Sequence, residues 1–332
     1  MSNRIVAPSP HLHGDLSTPR IMRDVVIALI PAFAFSVFVY GWSAVWLTGI
    51  AIASCMLFEW LIGRFLLRRD CTLGDWSAVV TGTLLAFNLP ATISPGLIVL
   101  GALVAIGIGK MSFGGLGRNP FNPALVGRVF LLISFPTQMT SAAFIPETGA
   151  VADAFSGATP LAFIKEALKA GRPVAEFMPN IDLGGMLLGL KDGSMGEIGA
   201  AALLIGGLYL LIRRVITWRI PVFVLGTIFV FASVLWLANP VLYINPLFHI
   251  FAGGAVLGAV FMATDYVTSP MSKAGQAVYA IGIGIITVLI RVWGAYPEGI
   301  SFAILIMNAA VPLIDMYMKP SRFGDRNPKK TK

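Results

Sequence analysis

The sequence predicts an all-α polytopic membrane protein. About ten transmembrane helices form two inverted five-helix repeats, with an extracytoplasmic loop that contains a short helix. Three observations predict it. Hydrophobic residues make up 57% of the chain and charged residues only 12%, with a mean hydropathy of +0.82, whereas soluble domains carry about 25% charged residues. Lys and Arg crowd into alternate connections between the apolar runs. A stretch of the first half recurs in the second.

In chain order, the first 23 residues are polar, contain Pro8, Pro10 and Pro19, and lack the apolar core of a cleavable signal peptide. The first apolar run therefore serves as the insertion signal. Runs near 24–41, 43–63, 74–90, 95–112 and 122–136 make five spans. Runs near 197–213, 220–238, 246–264, 274–294 and 300–318 make five more. Several are short or interrupted by Gly and Pro, the third and fifth most of all. The chain thus divides into a first membrane half (1–136), a loop (137–196), a second membrane half (197–318) and a basic tail (319–332).

Threading these spans from a cytoplasmic N-terminus puts 18 of the 24 Lys and Arg on the cytoplasmic side. They include Arg20, Arg23, Arg64, Arg68, Lys110, Arg118, Arg213, Arg214 and Lys273. The opposite side holds Lys165, Lys169, Arg172 and Lys191, all in the long loop, while Arg128 and Arg291 fall inside spans. Basic residues stay inside, so both termini are expected in the cytoplasm and the 137–196 loop outside. In so apolar a chain the net charge of +8 reports orientation and not nucleic-acid binding.

The recurrence joins ISPGLIVLGALVAIGIG (93–109) to TSPMSKAGQAVYAIGIG (268–284) without gaps. Ser94/Ser269, Pro95/Pro270, Ala102/Ala277 and the whole A-I-G-I-G match. Shared use of Ala, Ile and Gly in membrane helices is the plain alternative, but the Ser-Pro match at a fixed offset speaks for a repeat. Five spans per half invert the second half, and inverted repeats place binding sites where broken helices of the two halves meet.

The long loop has order of its own. Thr159 followed by Pro160 reads as an N-cap and first helical residue. Leu161, Ile164 and Leu168 follow at helical spacing, with Gly171 as the stop. Leu183–Leu190 is apolar but too short to span.

The chemistry concentrates at Asp153–Thr159, D-A-F-S-G-A-T. A threonine hydroxyl can accept a phosphoester. Gly157 and Ala158 leave room around it, and a helix start supplies free N–H groups beside a phosphate. The alternative is that Thr159 is only an N-cap. D-x-x-S/T-G-A-S/T arises by chance in roughly one chain per thousand of this length, and its place in the external loop favours modification.

Asp153–Thr159 resembles the attachment signal of flavin transferases, which link flavin mononucleotide (FMN) to the last Thr or Ser. Nearly the whole chain resembles the family that includes the D subunit of the Rnf ion-translocating ferredoxin:NAD oxidoreductase complex and the B subunit of the sodium-pumping NADH:quinone reductase. The likeness rests on S-P-H-L-H (Ser9–His13), P-R-I-M (Pro19–Met22) and G-G-L-G-R-N-P-F-N-P-A (Gly114–Ala124). It rests also on F-M-A-T-D (Phe261–Asp265), I-R-V-W-G-A-Y-P-E-G (Ile290–Gly299) and Met307–Asn308. The short stretch before the first span is more similar to the Rnf protein. The resemblance implies a covalent FMN on Thr159, with Asp153, Ser156, Gly157 and Ala158 as the attachment motif, and a flavin transferase for maturation. It implies partner subunits with iron–sulfur centres, a second covalent flavin, and the NAD and ferredoxin sites. It also implies a non-covalent riboflavin within the membrane.

The Gly114–Ala124 stretch is a second candidate. Read functionally, Arg118, Asn119, Phe121 and Asn122 offer hydrogen bonds and a ring face to a flavin or quinone. Read structurally, it is a tight turn whose side chains satisfy backbone groups. It is no dinucleotide fingerprint, because no strand–helix unit surrounds it. Glu59, Arg128, Asp265 and Arg291 lie in or near apolar runs and need partners; a structural ion pair of Asp265 with Arg128 or Arg291 is the favoured reading, and the alternative is that these groups sense flavin charge or line an ion route. Cys55 and Cys71 are too few for a four-thiolate cluster, and His249 stands alone. No metal site and no catalytic residue are expected in this chain.

These features point to an electron-transfer subunit of a redox-driven Na⁺ or H⁺ pump, embedded in membrane lipid, with no turnover in isolation. The rivals are a small-solute channel or permease, which leaves D-A-F-S-G-A-T without a task, and a passive scaffold.

Overall fold

A computed structural model describes residues 17–68, 72–140, 161, 165, 183–188, 194–196 and 199–319. Among them every regular element is helical. Helix α1 (Thr18–Tyr40) has a proline in its first turn and stops at Gly41, whose φ is 60°. Helix α2 (Trp42–Leu61) runs on as a π-helical turn, Ile62–Leu66. A 3₁₀ turn, Leu73–Asp75, precedes α3 (Ser77–Phe87). Helix α4 (Pro95–Leu103) also passes into a π-helical turn, Val104–Ile108. Helix α5 (Pro123–Ser134) completes the first half, and the short α6 (Pro136–Thr140) and α7 (Leu183–Leu188) follow.

The second half repeats this order. It contains α8 (Ala200–Ile212), α9 (Arg219–Ala238), α10 (Pro246–Phe251) and α11 (Ala255–Leu257), which continues as a π-helical turn, Gly258–Met262. It ends with α12 (Lys273–Val292) and α13 (Ile300–Tyr317). All ten expected spans are thus occupied by helix, and six helices are long and apolar enough to cross a membrane: 18–40, 42–66, 95–113, 219–238, 273–292 and 300–317.

The third span of each half departs from expectation. Residues 74–90 and 246–264 were each expected as one helix, and each is broken. Trp76 takes φ 67° between the Leu73–Asp75 turn and α3. Gly253 takes φ 65° between α10 and α11. A left-handed residue redirects the chain and ends the helical hydrogen-bond ladder. The 11 residues of α3 then rise only about 17 Å, short of a bilayer core of about 30 Å.

The packing shows the repeat and its inversion. In the first half α2 packs on α3 and α4, and α4 on α5; in the second α9 packs on α10 and α12, and α12 on α13. Across the halves, α1 packs on α8 and α5 on α13. These equivalent helices run antiparallel. Asp24, early in α1, accepts hydrogen bonds from Tyr209 Oη (3.2 Å) and Arg213 Nη2 (3.2 Å) at the end of α8. Ser36, late in α1, donates to the Met195 carbonyl before α8 begins (2.8 Å). A Cβ on Gly206 would lie 2.0 Å from the Ala28 carbonyl oxygen, so a glycine is what lets these backbones touch, as small residues do between membrane helices. Many large apolar side chains are exposed on the bundle, among them Phe38, Trp46, Leu57, Val230, Leu237 and Leu313. This is the pattern of a surface solvated by lipid.

Candidate functional site

Asp153, Ser156, Gly157, Ala158 and Thr159 lie outside the described residues. Of the helix expected after Thr159, Leu161 and Lys165 are described, and both are helical and buried. The described residues hold one expected site, the Gly114–Ala124 stretch, and the fold builds a cavity against it.

That stretch follows a 3₁₀ turn, Met111–Phe113, and turns on Gly114, Gly115 and Gly117, whose φ values are 104°, 95° and 87°. It delivers Asn119 and Asn122 inward; both are buried. Asn122 is the N-cap of α5: its Oδ1 accepts from the Ala124 (3.1 Å) and Leu125 (3.5 Å) amides. Its Nδ2 donates to the Met262 carbonyl of the other half (3.2 Å). The structural reading therefore holds for Asn122. Asn119 differs. Its Nδ2 donates to the Phe121 carbonyl (3.0 Å), but its buried Oδ1 has no partner among the described residues. Burying an acceptor unbonded costs about 1–3 kcal/mol, so this atom marks a place for a donor.

The cavity measures about 90 Å³. Its walls come from the start of α1 (Met22, Val25), from α3 (Val80, Leu84), from the end of α8 (Leu210), and from Phe261 and Asp265. Asn119, Asn122, Ser77 and Lys110 supply a polar rim. Both halves contribute, as the inverted repeat predicts. Arg118 is exposed and Phe121 half-buried, and neither lines the cavity. The structure thus brings together two of the four expected residues.

Sequence reading missed the most polar part of the rim. Lys110, expected in a cytoplasmic connection, is only 1% exposed, as is Glu59. Its Nζ lies 2.6 Å from Glu59 Oε2 and donates to Ser77 Oγ (2.5 Å). Thr72 Oγ1 holds the other Glu59 oxygen (2.7 Å), and the Ser77 amide donates to Asp75 Oδ1 (2.8 Å). Opposite charges at 59 and 110 were visible in the sequence; nothing there set them in register.

The remaining intramembrane charges also correct the expectation. Asp265 pairs with neither arginine. It accepts from the Val267 amide (3.4 Å) and the Thr268 hydroxyl (3.2 Å), closing a local turn. Arg128 forms its ion pair with Glu298 and donates to Asn88 Oδ1 (2.6 Å) and Ser301 Oγ (2.8 Å). Arg291 donates to the carbonyls of His249 and Ala252 (2.9 Å to the latter) at the break between α10 and α11. Main-chain carbonyls freed by a broken helix satisfy a guanidinium as well as a carboxylate does in geometry, and hydropathy gives no sign of them. Cys55 is a buried free thiol. No cluster of three metal-ligating side chains occurs among the described residues.

The family model described as "NQR2, RnfD, RnfE family" matches residues 5–324. The D subunit of the Na⁺-translocating ferredoxin:NAD⁺ oxidoreductase complex of Acetobacterium woodii is 46% identical over 322 residues, which cover 97% of this chain and 96% of that protein. The D subunit of the proton-translocating ferredoxin:NAD⁺ oxidoreductase complex of Clostridium ljungdahlii is 40% identical, covering 97% of this chain and 96% of that protein. The D subunit of the ion-translocating oxidoreductase complex of Stutzerimonas stutzeri is 40% identical over 331 residues, covering 93% of this chain and 92% of that protein.

Proposed function

The chain belongs to the NQR2, RnfD, RnfE family, and on that premise we propose that it is the RnfD-type membrane component of an ion-translocating ferredoxin:NAD⁺ oxidoreductase complex and carries covalent FMN on Thr159. The observation that carries the cofactor assignment is the D-A-F-S-G-A-T stretch ending at Thr159, set in a chain that matches this family along nearly its whole length. A solute permease has no use for that stretch.

Orientation follows from charge and packing together. The connections near 110–120, 213–219 and 264–273 line one cavity with the start of α1, Arg213 pairs with Asp24, and Lys110 pairs with Glu59 beside the 64–76 connection. They hold most of the basic residues of the membrane domain. Both termini face the cytoplasm in this reading, and the 137–196 loop with Thr159 faces outward. Other subunits of the complex, with iron–sulfur and flavin centres, exchange electrons with it, and a flavin transferase matures it. Relatives at 46% and 40% identity are named for Na⁺ and for protons respectively, so the coupled cation is assigned only as one of these two.

The cavity at Asn119 suits a second, non-covalent flavin, riboflavin. Its apolar walls suit a flat ring, and the unpartnered Asn119 Oδ1 suits an N–H or hydroxyl donor at the ring's edge. A cavity of about 90 Å³ is smaller than the roughly 300–1,000 Å³ pockets that hold small organic ligands. Seating a tricyclic ring therefore requires the glycine-rich 114–117 turn to yield. Flavin supplies one- and two-electron transfer where it is bound. This chain's residues would orient it and exclude water: Asn119 accepts, the Lys110–Glu59 pair with Ser77 forms a polar rim, and Val80, Leu84 and Phe261 close the apolar sides.

The test is fluorescence under ultraviolet light after denaturing electrophoresis of the chain made with its flavin transferase. A fluorescent band is expected that disappears in Thr159→Ala. A band that survives the substitution overturns the assignment.

A further inference from the structure

The break between α10 and α11 has a neighbour that, among the described residues, its counterpart in the first half lacks. At Trp76 the broken helix and the α4–α5 connection wall the open cavity, through Ser77 and Asn119. In the second half the equivalent elements are the break at Gly253 and the α12–α13 connection. Here two residues of the long loop are packed in, Leu161 and Lys165, each 6% exposed.

Leu161 belongs to a small apolar cluster with Met186, Ile244, Phe248 and Ala252, separate from the main core. Leu161 and α7, two described parts of the loop, thus converge on the end of α10. The fit is close. A Cβ on Gly253 would lie 2.9 Å from Leu161 Cδ1 and 3.0 Å from Arg291 Nη2. Lys165 reaches from the loop to the end of α12, where its Nζ donates to the carbonyls of Ile290 (3.2 Å) and Tyr296. A cation at the C-terminal end of a helix meets the negative pole of its dipole. Arg291, one residue on, ties the same end of α12 to the carbonyls of His249 and Ala252. The break, the end of α12 and the loop are therefore bonded into one corner.

We infer that Leu161 and Lys165 are positioning residues that dock the long loop on the corner formed by the α10–α11 break and the end of α12, and so fix the place of the cofactor carried at Thr159. The cofactor part rests on the function proposed above. Two residues of chain span at most about 7 Å, so a group esterified at Thr159 is tethered to backbone within that reach of Leu161.

The experiment uses the full chain, made with the flavin transferase and purified in detergent. Native protein is digested with proteinase K for increasing times, then run on a denaturing gel that is imaged for flavin fluorescence and afterwards stained. Wild-type loop is expected to resist. Leu161→Ala and Lys165→Met are expected to lose the intact fluorescent band about tenfold faster, because cleavage follows the population of the opened loop. Lys165→Arg restores resistance. Iodide quenching of the covalent flavin in undigested protein rises in the same two variants and falls back in Lys165→Arg. Unchanged cleavage and quenching in both Leu161→Ala and Lys165→Met, with the band present, overturns the docking. A wild-type chain without a fluorescent band overturns the cofactor reading instead, and the stained fragments still decide the docking.

Discussion

Lys110 and Glu59, 51 positions apart in sequence, form a buried ion pair with 2.6 Å between nitrogen and oxygen. The pair ties the end of α4 to the end of α2 beside the Asn119 cavity, and Ser77 and Thr72 complete its hydrogen bonds. Charges so placed stand on one another, because removing one leaves the other in a medium that cannot solvate it. Lys110→Met is expected to destabilise the chain by about 3–5 kcal/mol. The double variant Lys110→Met/Glu59→Leu should recover most of that loss. Thermal unfolding in detergent, followed by the monodisperse fraction on size exclusion, measures both. A double variant as unstable as the single one contradicts the pairing.

Two glycines separate backbone need from helix propensity. Gly253 has φ 65° and no room for a Cβ, while nothing lies within 4 Å of a Cβ at Gly226 in α9. Gly253→Ala should cost about 1–3 kcal/mol. Gly226→Ala should be neutral or stabilise by up to about 1 kcal/mol. The same unfolding assay ranks them, and equal midpoints would contradict the strained break.

Asn119 and Asn122 should separate binding from stability. Asn122→Ala removes a helix cap, worth about 1 kcal/mol, and the bond to the Met262 carbonyl, so the protein melts earlier. Asn119→Ala removes an oxygen that holds nothing within the described protein. It also removes the bond from Nδ2 to the Phe121 carbonyl, so it should cost about 1 kcal/mol while lowering the flavin released by acid precipitation. Thr159→Ala should leave that acid-released flavin in place. Acid-released flavin unaltered by Asn119→Ala would contradict the seat proposed for it.

The bundle was legible wherever apolar length alone decides. All ten apolar runs are helical, but the matched stretches sit differently: Pro95 opens α4 and its A-I-G-I-G falls in the π-helical turn that follows, whereas Pro270 precedes α12 and its A-I-G-I-G lies inside that helix. The breaks at Trp76 and Gly253 were not legible, because hydropathy is blind to φ and an aromatic residue gives no warning of a left-handed turn. Pairings among buried charges escaped for another reason. Asp265 looked like an arginine's partner and closes its own turn, while Glu298, in a connection, holds Arg128. Which charge meets which depends on how helices far apart in sequence align. The Gly114–Ala124 stretch was legible as a site, but which of its side chains face inward was set by three departures to positive φ, at Gly114, Gly115 and Gly117.

Thr159 is where the redox assignment stands or falls, and its most direct test is the mass of the peptide that contains it. From chain made with its flavin transferase, a proteolytic fragment spanning Asp153–Thr159 should be heavier by one FMN less water, with fragmentation placing the addition on Thr159. A peptide of unmodified mass, or an addition on another residue, would contradict the assignment.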